Sequence, residues 1–392
     1  MEVIIHRFRE DDKEKTFQFL KSVFGGWRAI DQWNWKFDKV EEMLGRKASN
    51  WVVEDSGKIV GHLAFIPMEL VVENRVFPVC QLVDGALDPK YRHRGVYANL
   101  VQQVLLDAEK SGSLAAFGFA NRPSYRIYSR LGRFQSLFHV TKTFKILSLR
   151  NAIHAMDIHL NTGETQETSN TPSIKDPLLV FGRQALPILV ELLQNVLASM
   201  AVCIVGFKRK VRDGLTIRIT KSIVSKERIE DLWKKLAENY RIAFERNQRY
   251  LKWRYSNPVA DYGILIAEEN NQITGYVITA CEEKDIGINK IRISGLRIGH
   301  IVDLVAEKES IIPLLSRAEE FLKSKGVCLV TCWTIKNSDL YCLLREMRYY
   351  QIPMEIGKIT MVADIHSSLL KRALSSMQAN DMLLMIGDSD LV

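Results

Sequence analysis

Residues 88–98 read Asp88-Pro89-Lys90-Tyr91-Arg92-His93-Arg94-Gly95-Val96-Tyr97-Ala98 and join a predicted strand to a predicted helix. The strand is predicted over 79–87, which is apolar and rich in β-branched residues. The helix is predicted over 96–112, because apolar residues recur at helical spacing up to a glycine, a typical C-terminal stop. The N–H groups and the positive dipole end of a helix N-terminus attract anions, and the basic residues 92–94 add charge. This stretch therefore predicts a phosphate-binding turn.

The turn resembles a family motif. With Arg92 and Gly95 at its defined positions, it is similar to the acetyl-CoA motif of the GNAT acetyltransferases, Q/R-x-x-G-x-G/A. Tyr97 stands where a small residue is usual. The alternative interpretation is a basic loop that only caps a helix.

A second motif follows at residues 121–134, after a predicted apolar strand at 115–120. Through Asn121, Ser124 and Tyr128 it resembles the other GNAT signature, N-x-x-A/S-x-x-x-Y-x-x-x-G-F, with one additional residue before the final aromatic. In that family this helix flanks the pantetheine arm of CoA, and the tyrosine protonates the departing thiolate. Tyrosine, with a pKa of about 10, can donate to a thiolate whose conjugate thiol has a pKa of about 8.5. The alternative is that the tyrosines of this helix only pack in the core.

The resemblance implies a set of site residues. Tyr128 is expected to be the general acid, and no metal is expected. The residues expected to bind acetyl-CoA are Leu87, Arg92, His93, Arg94, Gly95, Val96, Tyr97, Ala98, Asn121 and Ser124.

The chain also contains an internal repeat. Residues 35–37 (Trp-Lys-Phe) and 51–63 are echoed by 253–255 (Trp-Arg-Tyr) and 265–277. Each copy predicts a helix and then a β-hairpin with a polar turn. In the second copy residues 306–313 lack the Arg-x-x-Gly pattern and carry two glutamates that would repel phosphate. We therefore expect only the first copy to bind CoA and the second to close the acceptor pocket. The alternative is that the similarity between two α/β domains arises by chance.

The predicted fold class is α/β (α+β), with two GNAT-like mixed β-sheet domains and flanking helices, joined by a helical linker. The predicted units are a CoA-binding GNAT domain at 1–145, a linker at 146–214, a degenerate GNAT-like domain at 215–365, and a C-terminal helix and acidic tail at 366–392. Within the linker, 185–207 is apolar and 208–212 is basic. A buried inter-domain helix is favoured there, and contact of 185–212 with a membrane surface is the alternative.

Composition limits the classes of partner. The 392 residues carry a net charge of +8, but the basic residues are spread along the chain, which favours an anionic cofactor over nucleic acid. The six cysteines are scattered without a C-x-x-C pattern, and the N-terminus lacks the pattern of a signal peptide. We therefore expect a cytoplasmic protein with reduced thiols and no structural zinc.

The attacking amine needs a proton acceptor. Asp84 is the candidate general base, and a structural carboxylate is the alternative interpretation. Gln81 lies where many GNAT enzymes carry a glutamate and cannot serve as a base, and His62 and His139 are further candidates. The acidic tail at 387–392 is predicted to help recognise a cationic amine.

Together these features predict an N-acetyltransferase that moves acetyl from acetyl-CoA to a primary amine of a small molecule or amino sugar. The alternatives are a Fem-type aminoacyl or peptidyl transferase, whose members generally lack the glycine turn, and a non-catalytic acyl-CoA-binding protein. The sequence does not define the oligomeric state.

Overall fold

The computed structural model describes residues 3–24, 30–148, 214–221, 226–288, 291–352 and 358–389. Its strands are β1 (Ile4–Arg7), β2 (Ser49–Asp55), β3 (Lys58–Val72), β4 (Arg75–Leu87), β5 (Ala115–Ala120), β6 (Gln135–Ile146), β7 (Leu215–Thr220), β8 (Ile242–Phe244), β9 (Asp261–Glu269), β10 (Gln272–Ile288), β11 (Ile291–Ala306), β12 (Leu329–Ile335), β13 (Tyr350–Gln351), β14 (Thr360–Ile365) and β15 (Met382–Leu383). They form a mixed sheet in the order β1-β2-β3-β4-β5-β14-β6-β12-β11-β10-β9-β7. The predicted mixed α/β fold with two GNAT-like sheets is confirmed.

Helices flank this sheet. They are α1 (Lys13–Phe24), α2 (Ile30–Trp33), α3 (Val40–Leu44), α4 (Val96–Lys110), α5 (Arg122–Arg130), α6 (Lys226–Ala237), α7 (Gln248–Arg254), α8 (Lys308–Ser324), α9 (Asp339–Glu346) and α10 (Ser368–Ser375). One π-helical turn, Asn34–Asp38, follows α2. The apolar side of α4 is buried against the first half of the sheet, as its helical spacing predicts.

Two equivalent hairpins show why the repeat folds twice in the same way. β2 and β3 are joined by Ser56 and Gly57, and β9 and β10 by Asn270 and Asn271. All four residues have positive φ, between 50° and 82°. A two-residue turn of this kind matches the twist of the flanking strands, and Gly and Asn adopt it at low cost. Both hairpin predictions are confirmed.

The two halves exchange strands. Beyond its N-terminal end, β6 leaves the first half and pairs with β12, from Val140 opposite Ile335 to Ile146 opposite Leu329. In return, β14 of the second half inserts between β5 and β6, with Thr360 opposite both Ala120 and His139. Each half is therefore completed by a strand from the other, although the predicted boundaries at 145 and 215 assign these strands to separate domains.

Equivalent residues of the two copies also meet directly. The rings of Trp35 and Trp253 stack with centroids 5.4 Å apart. The indole N–H of Trp35 donates to the carbonyl of Trp253 at 2.7 Å, and the indole N–H of Trp253 donates to the carbonyl of Trp35 at 3.1 Å. This reciprocal contact supports the interpretation of the halves as copies of one unit.

Residues 387–389, the described part of the tail, are buried in the core. The Arg246 guanidinium bonds to the Asp303 carboxylate at 3.1 Å and to that of Asp388 at 2.8 Å, and all three side chains are 1% exposed. Arg254 binds the backbone carbonyls of Gly387 and Ser389. The predicted recognition of a cationic amine by the tail is therefore wrong for Asp388, because its charge is already buried against an arginine.

Residues 149–213 of the predicted linker at 146–214, including 185–212, lie outside the described residues, so the predicted helix and the membrane contact stay predictions. Among the described residues, none of the helices has the length and apolar character needed to cross a membrane.

The strand exchange predicts that the first half does not fold alone. Residues 1–148 without β14 leave two strand edges unpaired. We expect that fragment to aggregate, and co-expression with 214–392 to return a soluble complex, both measured by gel filtration and circular dichroism. A monomeric 1–148 with a cooperative thermal transition would contradict this.

The buried Arg246 cluster predicts a large effect of one substitution. Arg246→Met leaves two buried carboxylates without their cation, and we expect it to lower the free energy of unfolding by about 3–5 kcal/mol. Arg241→Met is the control, because Arg241 pairs with the exposed Glu73 and should contribute less than about 1 kcal/mol. Urea denaturation measures both; equal effects would show that burial of the cluster is unimportant.

Candidate active site

The first sheet opens between β4 and β5. These parallel strands pair only from Cys80 opposite Ala116 to Leu82 opposite Gly118, although β4 continues to Leu87. Beyond this point the two strands diverge. Their inner edges therefore border an opening at the end of the sheet that also holds the basic turn.

A bulge in β4 shapes one side of the opening. The register with β3 shifts between the His62 and Ala64 pairings, and Asp84 there has a φ of 51°. A positive φ is costly for a non-glycine residue and often marks a functional position. The bulge places Asp84 and Gly85 at the opening.

A cavity of about 490 Å³ occupies this opening and reaches the second copy. From the first copy its wall includes Lys36, Asp84, Gly85, Tyr97, Asn121, Ser124 and Tyr128. From the second copy its wall includes Asn257, Cys281, Glu282, Lys284 and His300. Both copies thus form one pocket, as the repeat led us to expect.

The basic turn has the conformation that a phosphate site requires. Gly95 is the N-cap of α4, with a φ of 75° that favours glycine. The first helical hydrogen bond runs from Asn99 N–H to the Gly95 carbonyl, so the N–H groups of residues 96–98 precede it. A hydrogen bond of 2.6 Å from the Tyr91 hydroxyl to Asp55 holds the turn against the β2–β3 hairpin.

Six of the ten predicted cofactor residues divide into two groups by exposure, and Tyr97 and Ala98 are half-buried. Arg92, His93, Arg94 and Gly95 are exposed at the turn, whereas Leu87 and Val96 are buried in the core. The first group is accessible to phosphates through side chains and backbone. The side chains of the second group pack in the core under the turn, so a ligand could contact only the backbone of Leu87 and Val96.

Tyr128 lies on the cavity wall with its ring packed against Phe134, at a centroid distance of 4.5 Å. It is 5% exposed. Its hydroxyl contacts that of Tyr97, and burial together with this hydrogen bond raises the pKa of Tyr97 well above its usual range. Tyr97 therefore stays protonated at neutral pH, and the two hydroxyls share a hydrogen bond. The bulky residue at the unusual motif position thus contacts the predicted general acid.

Asn121 and Ser124 begin the helix that carries Tyr128. The Asn121 side chain caps α5 by accepting from the Ser124 N–H at 3.1 Å, and both residues line the cavity. The cap places the helix N-terminus at the cavity. In the second copy the side chain of Ser338 is the corresponding cap, at the start of α9.

The candidate bases occupy different places. Asp84 lines the cavity and forms an ion pair of 2.7 Å with Lys36. His62 is fully buried behind it, bonded to the Asp84 carbonyl, and burial lowers the pKa of His62 to about 4. Gln81 is buried and His139 bonds to the buried Thr360, and neither Gln81 nor His139 lines the cavity. Of these four, only Asp84 faces the pocket.

The second copy contributes a carboxylate held by several partners. His300 lies between Glu282, at 3.0 Å, and the Thr331 hydroxyl, at 2.7 Å. The Lys284 ammonium contacts the same Glu282 oxygen. Although burial acts to raise the pKa of Glu282, the hydrogen bonds from His300 and Lys284 lower it to about 2. Glu282 is therefore ionised at neutral pH.

The second copy has no counterpart of the basic turn between its equivalent strand and helix. Glu307 alone connects β11 to α8, whereas residues 88–95 connect β4 to α4. Glu307 forms an ion pair with Lys235 at 2.6 Å. The predicted difference between the copies is thus present in their backbones.

Several cavity residues were not predicted. Lys36 lies in the repeated Trp-Lys-Phe segment, which marked the repeat but not a site. Glu282, Lys284 and His300 lie on β10 and β11 without a local motif. Alternation along β10, which directs Glu282 and Lys284 to one side, is a weak signal that becomes informative only when the facing copy is known.

Comparison with known proteins agrees with this geometry. The acetyltransferase (GNAT) domain family matches residues 5–135. None of the curated sequences compared with the chain matches it. A probable N-acyltransferase from Enterococcus faecalis V583, described as a conserved protein of unknown function, is similar in structure: TM-score 0.56, 13% identity, covering 93% of this chain and 73% of that one. A tandem GNAT protein from the clavulanic acid biosynthesis pathway has a TM-score of 0.52 at 10% identity, covering 93% and 99%.

A third similar structure is a GCN5-related N-acetyltransferase from Anabaena variabilis ATCC 29413, with a TM-score of 0.52 at 12% identity, covering 93% of this chain and 73% of that one. The first copy is therefore a GNAT domain, and the described part of the chain has the fold of tandem GNAT proteins.

The contact between Gly85 and Tyr97 predicts a steric coupling. A Cβ on Gly85 would overlap the Tyr97 hydroxyl, and we expect Gly85→Ala to lower the free energy of unfolding by about 1–3 kcal/mol. Adding Tyr97→Phe removes the hydroxyl and should recover most of the loss. Gly118→Ala is the control, because its Cβ would meet no heavy atom closer than 3.5 Å. Chemical denaturation of the wild type, Gly85→Ala, Tyr97→Phe and the double variant measures the coupling, and additive effects of the two substitutions would contradict it.

Proposed function

We propose that the protein transfers an acetyl group from acetyl-CoA to a primary amine. One observation carries this proposal: a cavity at the β4–β5 opening is lined by residues of both copies. The first copy contributes Tyr128 and the N-terminal cap of α5 to its wall. The GNAT domain match supports acyl transfer in general. The acetyl donor and the amine acceptor are the proposed parts.

The phosphates of acetyl-CoA fit the turn at 92–95. This turn offers exposed basic side chains, a glycine with positive φ and the N-terminus of a 15-residue helix. The opening between β4 and β5 leads from the same end of the sheet into the cavity. Pantetheine bound along this opening would bring the thioester to the cavity wall that holds Tyr128.

The proposed reaction is direct transfer. The neutral amine nitrogen attacks the acetyl carbonyl carbon, the carbon–sulfur bond breaks, and the sulfur takes a proton from the Tyr128 hydroxyl. Because the raised pKa of Tyr97 keeps that residue protonated, Tyr97 does not take the Tyr128 proton before the sulfur does. The amine loses its proton to Asp84, directly or through water.

Asp84 is the proposed acceptor because it is the one among the four candidate bases that lines the cavity. Lys36 holds its carboxylate at 2.7 Å, and both side chains are at most 10% exposed. The ion pair fixes the carboxylate on the wall. The same ion pair gives Asp84 a structural role. Both interpretations from the sequence, a general base and a structural carboxylate, therefore apply to Asp84.

The alternatives receive less support. The Fem-type transferases generally lack a glycine turn, and here Gly95 begins α4 in the conformation of such a turn. A non-catalytic acyl-CoA-binding protein has no need of a tyrosine in the cavity, whereas Tyr128 lies there in contact with Tyr97.

The proposed acid predicts the effect of one substitution. Tyr128→Phe removes the proton donor and should lower kcat for thiol release from acetyl-CoA with an amine by about a hundredfold. Thermal stabilisation by acetyl-CoA should persist, because binding to the enzyme raises its stability by mass action. Tyr125→Phe is the control, since the Tyr125 hydroxyl bonds to Ser136 outside the cavity.

Wild-type turnover in Tyr128→Phe would exclude this tyrosine from the mechanism. If acetyl-CoA does not raise the melting temperature of the wild-type protein, the proposed function is wrong as a whole.

A further inference from the structure

The second copy carries a feature that the proposed transfer does not use. Glu282 lies on β10 and faces the cavity from the wall that the second copy contributes. It is held from behind by His300, which is 7% exposed and itself bonded to Thr331. Such a brace fixes the carboxylate and leaves its other side toward the cavity.

The cavity wall contains two carboxylate–lysine pairs that differ in one respect. In the Asp84–Lys36 pair the lysine side chain is 6% exposed and enclosed by protein. In the Glu282–Lys284 pair the lysine side chain is 55% exposed and the carboxylate 28%. The Lys284 stem is therefore free to turn into solvent, whereas Lys36 is not. Only at Glu282 can another cation replace the lysine without disturbing the core.

Lys284 and Glu282 lie two positions apart on one strand and so point to the same side. The ammonium group of Lys284 thus marks a place in the cavity where a primary ammonium ion contacts a fixed carboxylate. A ligand ammonium entering the cavity would find the same partner. Because the pair is partly exposed, exchanging one ammonium for another costs little desolvation.

A braced, ionised carboxylate suits binding better than proton transfer. The attacking nitrogen must be neutral, and a carboxylate that stays ionised at neutral pH takes no proton from an alkylammonium group with a pKa near 10. Its partner is then a group that stays cationic throughout the reaction. The attacking nitrogen belongs at the thioester, on the side of Tyr128 and Asp84.

From this arrangement we propose that the acceptor is a diamine or larger polycation, and that Glu282 binds its second ammonium group in the place that Lys284 occupies in this structure. The inference rests on the proposed function, since it assigns the acceptor class of the same cavity. Glu282 is then a specificity-determining residue supplied by the degenerate copy. Lys284 acts as an internal competitor of the acceptor.

The test is a comparison of two probes, 1,4-diaminobutane and butylamine, which differ by one ammonium group. Calorimetric titration into the full-length protein with CoA present should show tighter binding of the diamine by about tenfold, as expected for a hydrogen bond to a charged group. Glu282→Gln should remove this preference. Lys284→Met should strengthen diamine binding several-fold, because the competing cation is gone.

Glu283→Gln is the matched control. Glu283 is the next residue on the strand, its side chain is 63% exposed, and it pairs loosely with Arg297 outside the cavity. This variant should keep the wild-type preference for the diamine. The opposite responses of Glu282→Gln and Lys284→Met separate recognition from misfolding, because a damaged cavity weakens binding in both.

Equal binding of the two probes by the wild-type protein, or an unchanged preference in Glu282→Gln, would overturn the inference. Thermal stabilisation of the wild-type protein by acetyl-CoA is measured alongside and does not depend on Glu282. If that stabilisation is present while the diamine preference is absent, the acceptor class is wrong and the acetyltransferase proposal stands. If it is absent, the proposed function fails.

Discussion

Strand β6 of the first half pairs on both edges with strands of the second half, and the remainder of the structure depends on this exchange. Its N-terminal end pairs with β14 and its C-terminal part with β12, so each sheet is completed across the repeat. Backbone hydrogen bonds of a shared sheet leave little freedom for the halves to rotate against one another. The Trp35–Trp253 contact and the buried Arg246 cluster reinforce the same arrangement. A cavity walled by both copies can therefore keep its shape.

The divergence of the copies follows from this rigidity. The first keeps the long turn at 88–95, with Gly95 at the start of a helix, whereas in the second Glu307 alone connects strand and helix. Because the second copy is joined to the first through paired strands, it can lack the basic turn and still contribute one wall of the cavity. The first copy thus supplies the proposed donor site, and the second copy supplies the proposed acceptor site. The bulge at Asp84 belongs to the first, and the braced Glu282 belongs to the second.

Much of the fold could be predicted because the signals are local. Apolar spacing predicted α4, turn residues predicted both hairpins, and Asn121 begins the predicted helix as its cap. The tail was misjudged because its composition is acidic, whereas its burial depends on Arg246, 142 residues away in the chain. The strand exchange was not predicted for a similar reason. Pairing partners of a strand are chosen by contacts across the sheet, which no local pattern reports.

The sequence by itself determined which copy carries the basic glycine turn and the helix of Tyr128, because both depend on short-range geometry: a positive φ that favours glycine, a capping side chain and helical spacing. Only the tertiary structure decided what faces those motifs. It brought Lys36 to Asp84, Tyr97 to Tyr128, and Glu282 with His300 to the same cavity. These groups are far apart in sequence or carry no motif, and their proximity results from strands that are paired across the whole chain. The proposed chemistry of the donor was thus predictable from residues 88–134, whereas the proposed acceptor class depends on how the second copy packs against the first.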